Sequence, residues 1–475
     1  MRSYNKYERK SKIVDLKTAL KKSGIKDGCT ISFHHQLRNG DYVVNTILEV
    51  VRELDIKDIR LAQTALFNIH EPVIDYIKEG IVTRIEGSIN GVVGDYVSKH
   101  PLRKPVVLRS HGRRWADVKN GNLKVDIAII AASAADEVGN ATGIIGKSAF
   151  GPIVYSQIDA TMAKKVIVIT DNIVEYPCPY QEIKENYVDY VCEVSRIGDP
   201  NNIIAGSTKI TTDPVKQEIA HKCIELMDAA GIIKNGMTFQ SGAGGISLAA
   251  TKYLGEKLEE KDIIASLVMG GVTKYMIDIY ESGRAKLIYY AQCFDTYSVE
   301  YISKNPSMPI MDIGQYADPT AKSRSVDSLD TVVLGATEVD TKFNVNVNTH
   351  SDGRLLHGIG GHQDTAAGAY LTIITVPLYR KTNPIVREKV TTITTPGNVV
   401  DAIVTYEGIA INPRRKDIIK KLEGKIEILP IEKLKEMAYS QTGEPAPLDT
   451  EEEIVAEIRW LDGSTIDRVY KIKEE

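Results

Sequence analysis

The sequence predicts an α/β fold made of two tandem, related domains with mostly parallel sheets, and three observations support this prediction. Continuous apolar runs such as 125–132 and 370–376 are typical of parallel strands that are covered on both faces. Helical stretches lie between these runs, and a chain that alternates strands and helices forms an α/β fold. Two segments of the first half also recur, in the same order, in the second half.

The expected strands are short segments that are apolar and rich in β-branched residues. They are 29–33 (CTISF), 106–110 (VVLRS), 125–132 (VDIAIIAA), 165–170 (KVIVIT), 238–241 (TFQS), 286–291 (KLIYYA), 331–336 (TVVLGA) and 370–376 (YLTIITV). The best-marked helix begins at Asp213-Pro214, a capping residue followed by proline at the first helical position, and ends at Gly231. Further along, 460–465 (WLDGST) predicts a β-hairpin that turns at Asp462-Gly463.

Two pairs of similar segments indicate an internal duplication. The segment 27–32 (DGCTIS) resembles 235–240 (NGMTFQ), and 125–140 (VDIAIIAASAADEVGN) resembles 329–344 (LDTVVLGATEVDTKFN). Because both pairs are separated by nearly the same distance along the chain, we infer two related halves. The predicted domains are 1–212 and 213–475, with the boundary near Ser207–Asp213, just before the capped helix.

Composition excludes several classes of protein. The 475 residues include 59 Lys and Arg against 63 Asp and Glu, a net charge of −4, whereas a generic nucleic-acid binder is basic. No apolar run approaches the roughly 18 residues of a membrane span. The five cysteines have no CxxC spacing, which argues against structural zinc and a disulfide framework. The N-terminus lacks the apolar region of a secretory signal, so the cytoplasm is the expected location.

Three glycine-rich stretches in the second domain are candidates for the catalytic loops. We expect each to follow a strand, where backbone N–H groups approach a phosphate or a developing oxyanion closely. Tight turns are the alternative interpretation. No stretch matches the dinucleotide fingerprint, and no Walker lysine follows one. The candidate catalytic residues are Gly242, Gly244 and Gly245, then Gly270 and Gly271, then Gly360 and Gly361; His362 and Gln363 follow the last pair as candidate substrate ligands.

The first domain supplies cationic and polar candidates for binding a substrate. Guanidinium groups bind carboxylates in bidentate geometry, so such residues suit a substrate with several carboxylates. A surface turn is again the alternative. No histidine or carboxylate cluster has metal spacing, and no GxSxG elbow or catalytic cysteine context is present, so neither a metal nor a covalent nucleophile is predicted. The candidates are His34, His35, Arg38 and Asn39 after segment 29–33, and His111, Arg113 and Arg114 after segment 106–110.

These motifs together resemble the alpha-subunit family of citrate lyase, within the coenzyme A transferase superfamily. The resemblance runs nearly end to end and implies two coenzyme A transferase-like domains. It also implies an enzyme that exchanges acetyl for citryl on the thiol of an acyl carrier protein, the first step in cleaving citrate to oxaloacetate and acetate. The segments that carry it are 31–45 (ISFHHQLRNGDYVVN), 109–115 (RSHGRRW), 125–143 (VDIAIIAASAADEVGNATG), 238–250 (TFQSGAGGISLAA), 355–369 (LLHGIGGHQDTAAGA) and 400–415 (VDAIVTYEGIAINPRR).

The same resemblance implies partners. A separate beta subunit would cleave the citryl thioester, and a gamma subunit, the acyl carrier protein, would carry the thiol on a phosphoribosyl-dephospho-CoA arm. Acetyl-CoA should mimic this arm. The chain itself is expected to bind no cofactor and to form a homo-oligomer within the multi-subunit complex.

The resemblance further bears on the mechanism. Most coenzyme A transferases use a glutamate that becomes an enzyme-bound thioester, and alignment on either of two motif types places Gly242 or Gly270 at that position. Direct attack of a citrate carboxylate on the acetyl thioester, through a mixed anhydride in a ternary complex, is therefore implied. Two other functions stay open: a coenzyme A transferase or thioesterase that acts on free acyl-CoA, and a non-catalytic scaffold that presents the carrier protein.

Overall fold

The computed structural model describes residues 11–203, 209–305 and 307–473. Its described strands and helices before residue 204 alternate along the chain. The strands are β1 (Thr30–Phe33), β2 (Ile59–Gln63), β3 (Ala65–Leu66), β4 (Val82–Ile85), β5 (Ser88–Ile89), β6 (Val106–Leu108), β7 (Ile127–Ala132), β8 (Ala134–Ala135), β9 (Ala141–Thr142), β10 (Lys165–Thr170) and β11 (Tyr190–Glu193). The helices are α1 (Leu16–Lys22), α2 (Val43–Glu53), α3 (Val73–Lys78), α4 (Gly91–Lys99), α5 (His111–Lys119) and α6 (Gln157–Met162).

The described chain after residue 208 continues the alternation. Its strands are β12 (Thr238–Ser241), β13 (Leu267–Val272), β14 (Ile288–Cys293), β15 (Thr331–Gly335), β16 (Glu338–Asp340), β17 (Val345–Asn346), β18 (Leu371–Thr375), β19 (Tyr379–Arg380), β20 (Asn383–Pro384), β21 (Val386–Arg387), β22 (Ala402–Val404), β23 (Ile409–Ile411), β24 (Thr450–Arg459) and β25 (Thr465–Ile472). Its helices are α7 (Pro214–Ala229), α8 (Gly245–Glu260), α9 (Lys274–Glu281), α10 (Thr296–Lys304), α11 (Ile313–Ala317), α12 (His362–Gly368), α13 (Lys416–Leu422) and α14 (Ile431–Thr442).

Each half contributes one large sheet. The first has the order β11-β10-β7-β1-β2-β4 and is parallel throughout. The second has the order β14-β13-β12-β15-β18-β22-β23 and is parallel except for the β22–β23 pair. These sheets confirm the predicted α/β class with mostly parallel strands. No helix in the described ranges combines the length and the apolar character of a membrane span.

Within each large sheet, an aspartate before one central strand accepts a backbone hydrogen bond from the neighbouring strand, and the two sheets share this feature. Asp126 Oδ2 accepts a hydrogen bond of 2.9 Å from Thr30 N, between β7 and β1. Asp330 Oδ2 accepts one of 2.9 Å from Thr238 N, between β15 and β12. These are the two strand pairs whose sequences resemble each other, so the internal similarity corresponds to equivalent positions in the two sheets.

The predicted strand 106–110 forms, but it does not join the large sheet of its half. Strand β6 pairs in parallel with β24, which forms an antiparallel hairpin with β25. The hairpin predicted around Asp462-Gly463 is confirmed, and it crosses from the second half onto the first. The boundary between 212 and 213 stays a prediction, and Ser207, where the predicted boundary region begins, lies outside the described residues.

Candidate active site

A cavity of about 420 Å³ lies between the two halves. The first half lines it with residues that follow β1, with the start of α5 and with Tyr155. The second half lines it with the ends of β12, β13 and β14 and with the segment 356–362. Ligands of open α/β sheets bind beyond the carboxyl ends of the strands, and this cavity occupies that place in both sheets.

Arg38 is the cation of this cavity. It is 7% exposed, and its guanidinium lies 5.6 Å and 5.3 Å from the ring centroids of Phe67 and Phe294. Its Nε has no hydrogen-bond partner among the described residues, and burial lowers the pKa of the group. Its backbone φ of +53° is uncommon outside glycine and is held by the surrounding structure. A buried, unpaired guanidinium in a cavity wall is suited to binding an anion.

Two histidines lie beside Arg38 and stay neutral. The rings of His35 and His111 stack at 5.5 Å, and His35 Nδ1 lies 2.6 Å from Thr64 Oγ1. Burial lowers the pKa of His111 to about 3 and, with the nearby His111 and Arg38, lowers the pKa of His35 well below 6.5. At neutral pH they can therefore form hydrogen bonds but supply no charge. The described residues that line the cavity include no lysine, carboxylate or thiol. Among them, the positive charge of the cavity wall therefore comes from Arg38.

The second half of the chain holds the start of α5. Ser110 caps this helix by accepting from Arg113 N, and it donates a hydrogen bond of 2.7 Å to Asp364 Oδ1. The backbone N–H of Gly112 donates to Asp364 Oδ2 at 3.1 Å, and that of His111 donates to the carbonyl of Gly360 at 3.0 Å. The segment predicted as a loop is thus the first turn of a helix, and its contacts with the second half fix His111 in the cavity.

Neither Arg113 nor Arg114 lines the cavity. The guanidinium of Arg114 forms two hydrogen bonds with Asp159, of 2.7 Å and 3.1 Å, and donates to the carbonyl of Ala62 at 2.8 Å. His34 Nε2 lies 3.0 Å from the same Asp159 carboxylate, outside the cavity wall. Burial alone would raise the pKa of Asp159, but Arg114 and His34 outweigh it and hold that pKa below its usual value. The Arg114 side chain is thus occupied by this buried ion pair, and its contact with the substrate stays a prediction.

Arg113 points away from the cavity in a different direction. Its guanidinium pairs with Asp117 and donates at 3.2 Å to the carbonyl of Leu461 in the C-terminal hairpin. Arg109 Nε also pairs with Asp117, at 2.7 Å. The Arg113 side chain thus links the hairpin to α5, and its contact with the substrate also stays a prediction.

Six of the seven candidate glycines line the cavity: Gly242, Gly244, Gly270, Gly271, Gly360 and Gly361. Gly245 is instead the first residue of α8, with Gly244 as its N-cap. Gly270 and Gly271 lie within β13 rather than in a loop after it, at a register shift against β14. A Cβ at Gly270 would lie 2.8 Å from Gln240 Cδ, and one at Gly271 would lie 1.9 Å from the Phe294 ring. These two glycines therefore make room for neighbouring cavity side chains.

The remaining predicted residues divide between the cavity and its surroundings. His362 lines the cavity, and its Nδ1 lies 2.8 Å from Thr395 Oγ1. Gln363 is turned away from the cavity and donates to the carbonyl of Thr394 at 2.8 Å. Asn39 Oδ1 accepts from Ile69 N at 3.1 Å and is also outside the lining. The segment that carries Gly360 precedes α12 and does not follow a strand, contrary to the prediction.

Sequence reasoning missed several lining side chains. The set comprises Phe67, Asn90, Tyr155, Gln240, Gln292, Phe294, Tyr316 and His357. Gln240 and His357 lie inside the glycine-rich stretches, so their position beside the candidate glycines could have identified them as cavity residues. The others have no local sequence pattern that marks them, because long-range folding alone brings them to the cavity.

Asp364 is expected to make stability depend on pH. Burial raises the pKa of this carboxyl to about 7, although the hydrogen bonds that Ser110 and Gly112 donate to it act in the opposite direction and lower the pKa. Its protonated form contributes stability fully below pH 3.8, and that contribution is lost as pH rises towards 7. Between pH 4 and pH 8 the wild type should therefore lose about 4 kcal/mol of stability relative to Asp364→Asn, which cannot ionise. Urea unfolding at both pH values measures this.

The control is Asp55→Asn, at a carboxylate that is almost fully exposed. Its difference from the wild type should stay constant over the same pH range. An Asp364→Asn profile parallel to that of the wild type would contradict the prediction.

Among the described residues, no group of three or more His, Cys, Asp or Glu side chains could hold a metal ion. All five cysteines are buried and free, and burial raises the pKa of Cys178 and Cys192 to about 12. No thiol lies in the described cavity wall.

The fold and the cavity between its halves place the chain in the coenzyme A transferase-like class. A Pseudomonas malonate decarboxylase hetero-tetramer in complex with malonate shares this fold, with a TM-score of 0.66 at 17% identity over 91% of this chain and 86% of that chain. The family model "Citrate lyase, alpha subunit (CitF)" matches residues 9–472. The chain belongs to the citrate lyase alpha-subunit family, as the resemblance of its motifs predicted.

Individual relatives agree with this assignment. The citrate lyase alpha chain of Haemophilus influenzae is 42% identical over 97% of this chain and 92% of its own length. That of Escherichia coli is 40% identical over 97% of this chain and 91% of its own length. A solved structure from Streptococcus mutans, described as the alpha subunit of citrate lyase in complex with citrate, has a TM-score of 0.95 at 40% identity, covering 98% of this chain and 92% of that one.

Proposed function

We propose that this chain exchanges the acetyl group of an acetyl thioester for a citryl group, on the thiol of an acyl carrier protein. Citrate and the acetyl thioester are the substrates, and acetate and the citryl thioester are the products. The observation that carries the proposal is the unpaired Arg38 guanidinium in a cavity whose described lining includes no carboxylate or thiol. Such a site binds a carboxylate substrate and leaves the nucleophilic role to the substrate itself.

The proposed reaction has two steps. A citrate carboxylate oxygen attacks the acetyl carbonyl carbon, the C–S bond breaks, and an acetyl-citryl mixed anhydride and a thiolate form. The thiolate then attacks the citryl carbonyl carbon, and acetate leaves with the bridging oxygen. The chain has to position both partners, hold the citrate charge and stabilise each oxyanion. Arg38 serves the second of these tasks.

The acceptor of the citryl group is proposed to be the phosphoribosyl-dephospho-CoA arm of the gamma subunit, and the beta subunit is proposed to cleave the product. Free acetyl-CoA should replace the arm in a test. Incubating the chain with acetyl-CoA and citrate should yield citryl-CoA and acetate, detected by mass spectrometry. Citrate-independent hydrolysis of acetyl-CoA would favour a thioesterase, and binding of citrate without turnover would favour a scaffold. The homo-oligomer and the cytoplasmic location stay predictions.

No covalent enzyme intermediate is expected in turnover. After incubation with acetyl-CoA and then borohydride or hydroxylamine, the mass of the intact wild-type chain should be unchanged. The nearest atom to a Cβ at Gly242 would be 3.7 Å away, so a Cβ can be added there without a clash. In Gly242→Glu the new carboxylate should attack the acetyl carbon of acetyl-CoA and release the CoA thiolate. The thiolate should then attack the glutamyl carbonyl of the resulting anhydride, releasing acetate and giving a glutamyl-CoA adduct. Gly242→Gln, equal in size but not nucleophilic, should give none.

A coenzyme A adduct on the wild-type chain would contradict the anhydride mechanism. The Gly242→Gln control distinguishes that result from non-specific acylation at lysines, which would mark all three proteins alike.

A further inference from the structure

Two buried glutamine amides flank the Gly270-Gly271 pair in the cavity wall. Gln240 comes from β12 and Gln292 from β14, on either side of β13. They are 7% and 2% exposed. The register of β13 against β14 shifts between Gly270 and Gly271, so that Gly271 lies opposite Gln292. The missing side chain of Gly270 leaves space for the Gln240 amide, and that of Gly271 leaves space for the Phe294 ring.

A tyrosine hydroxyl anchors each of the two amides at one end. Tyr155 Oη donates to Gln292 Oε1 at 3.0 Å, and Gln240 Nε2 donates to Tyr316 Oη at 2.7 Å. Burial raises the pKa of both tyrosines above the ordinary value, so neither hydroxyl loses its proton in the neutral range. The anchoring therefore does not change with pH around neutrality.

The other end of each amide has no protein partner among the described residues. Gln292 Nε2 and Gln240 Oε1 are both buried and unpartnered. A buried polar atom without a partner lowers the stability of the fold, so such atoms mark places where a ligand completes the hydrogen bonding. Two residues of the wall thus carry a neutral polar atom without a protein partner, a donor at Gln292 and an acceptor at Gln240.

These two atoms suit different parts of a substrate. An oxygen that gains negative charge during the reaction is stabilised by a fixed N–H donor and repelled by an acceptor. A carboxylate, which is charged from the start, is matched better by the guanidinium of Arg38. A neutral, anchored donor such as Gln292 Nε2 is therefore suited to an oxygen that becomes charged only in the transition state.

We propose that Gln292 is a catalytic residue whose Nε2 donates a hydrogen bond to the carbonyl oxygen of the reacting thioester. The proposal rests on the proposed function. When a citrate carboxylate attacks the acetyl carbon, this oxygen becomes the oxyanion of the tetrahedral adduct, and the amide holds it until the C–S bond breaks. Tyr155 acts as a positioning residue, because its hydrogen bond to Oε1 leaves Nε2 as the end of the amide without a protein partner.

Two variants of Gln292 test the assignment in the full chain with acetyl-CoA and citrate. Gln292→Glu keeps the shape and the oxygen that accepts from Tyr155 but replaces the donor, and Gln292→Met removes both polar ends. Losing one oxyanion donor lowers kcat by about 100- to 1,000-fold. We expect that loss in both variants, with KM for citrate and for acetyl-CoA within about threefold of the wild type. Gln441→Glu, the same chemical change on the exposed face of α14, should leave kcat unchanged.

Infrared difference spectra of bound acetyl-CoA, labelled with ¹³C at the carbonyl, measure the carbonyl stretching frequency. This frequency would not depend on Gln292 if the residue had only a structural role. The carbonyl stretch should shift to lower wavenumber on binding to the wild type and should not shift with Gln292→Met. Variants with wild-type kcat, or with only the citrate KM raised, would overturn the assignment while leaving the proposed function in place. A wild-type chain that makes no citryl-CoA would contradict the proposed function itself, and this assignment with it.

Discussion

Replacing Arg114 with alanine is expected to lower the free energy of unfolding by about 3–5 kcal/mol, because it breaks a buried ion pair and leaves one charge behind. The Asp159 carboxylate is fully buried and receives two hydrogen bonds from Arg114. Burial lowers the pKa of its other neighbour, the His34 imidazole, so Arg114 is the permanent charge beside this carboxylate. Urea unfolding of the purified variant measures the loss.

Arg113→Ala is the matched control for this prediction, since it removes the adjacent arginine of the same helix. Asp117 keeps Arg109 as a partner at 2.7 Å, so the loss of stability should be clearly smaller. Equal losses of unfolding free energy in the two variants would contradict the prediction, because they would show that the buried Arg114–Asp159 pair stabilises the fold no more than the contacts of Arg113 do. We expect no specific rise in the citrate KM from Arg113→Ala, because this guanidinium does not face the cavity.

Replacing Arg38 with glutamine is expected to raise the KM for citrate by about 30-fold or more, which corresponds to about 2 kcal/mol of binding free energy. The guanidinium is the charged group of the described cavity lining, and its Nε has no hydrogen-bond partner among the described residues. Glutamine retains hydrogen-bonding capacity and loses the charge, so the effect should fall on the anionic substrate. Steady-state kinetics with each substrate varied in turn measures it.

Arg103→Gln is a suitable control, because Arg103 is an exposed arginine of the same half, paired with Asp58. It should leave both KM values unchanged. If Arg38→Gln raises only the KM for acetyl-CoA, Arg38 binds the thioester arm and the citrate charge is held elsewhere.

Much of the fold could be predicted from the sequence, because buried parallel strands are marked by continuous apolar runs. Strands β7, β10, β15 and β18 were predicted in this way, and all four are central or near-central strands. Strand β2 (IRLAQ) was missed, because its charged and amide side chains interrupt the apolar run. Strand β13 was missed as a strand because its two glycines indicated a loop.

Site residues could be predicted from the sequence only where a chemically suitable residue also lies in a recognisable short motif. Arg38, His35 and the glycines stand out in short motifs, and all but Gly245 line the cavity. Arg114 was predicted to bind the substrate because a guanidinium pairs well with a carboxylate. The sequence does not show whether that carboxylate belongs to a ligand or to the protein itself. Only the fold shows that Asp159 already pairs with Arg114. Tyr155 and Gln292 meet across two halves of the chain, which no local pattern reveals.

The C-terminal hairpin has a consequence for how the chain is made. Strand β6 pairs with β24, and the nearby contact between Arg113 and Leu461 spans 348 residues. At roughly 5–20 residues per second, a ribosome needs roughly 20–70 s to deliver the partner strand. During that interval β6 presents an unpaired edge and exposes Val106 and Leu108, which are fully buried in the finished fold. A chain that ends before residue 450 therefore leaves β6, in the first half, without the strand that pairs with it in the finished fold.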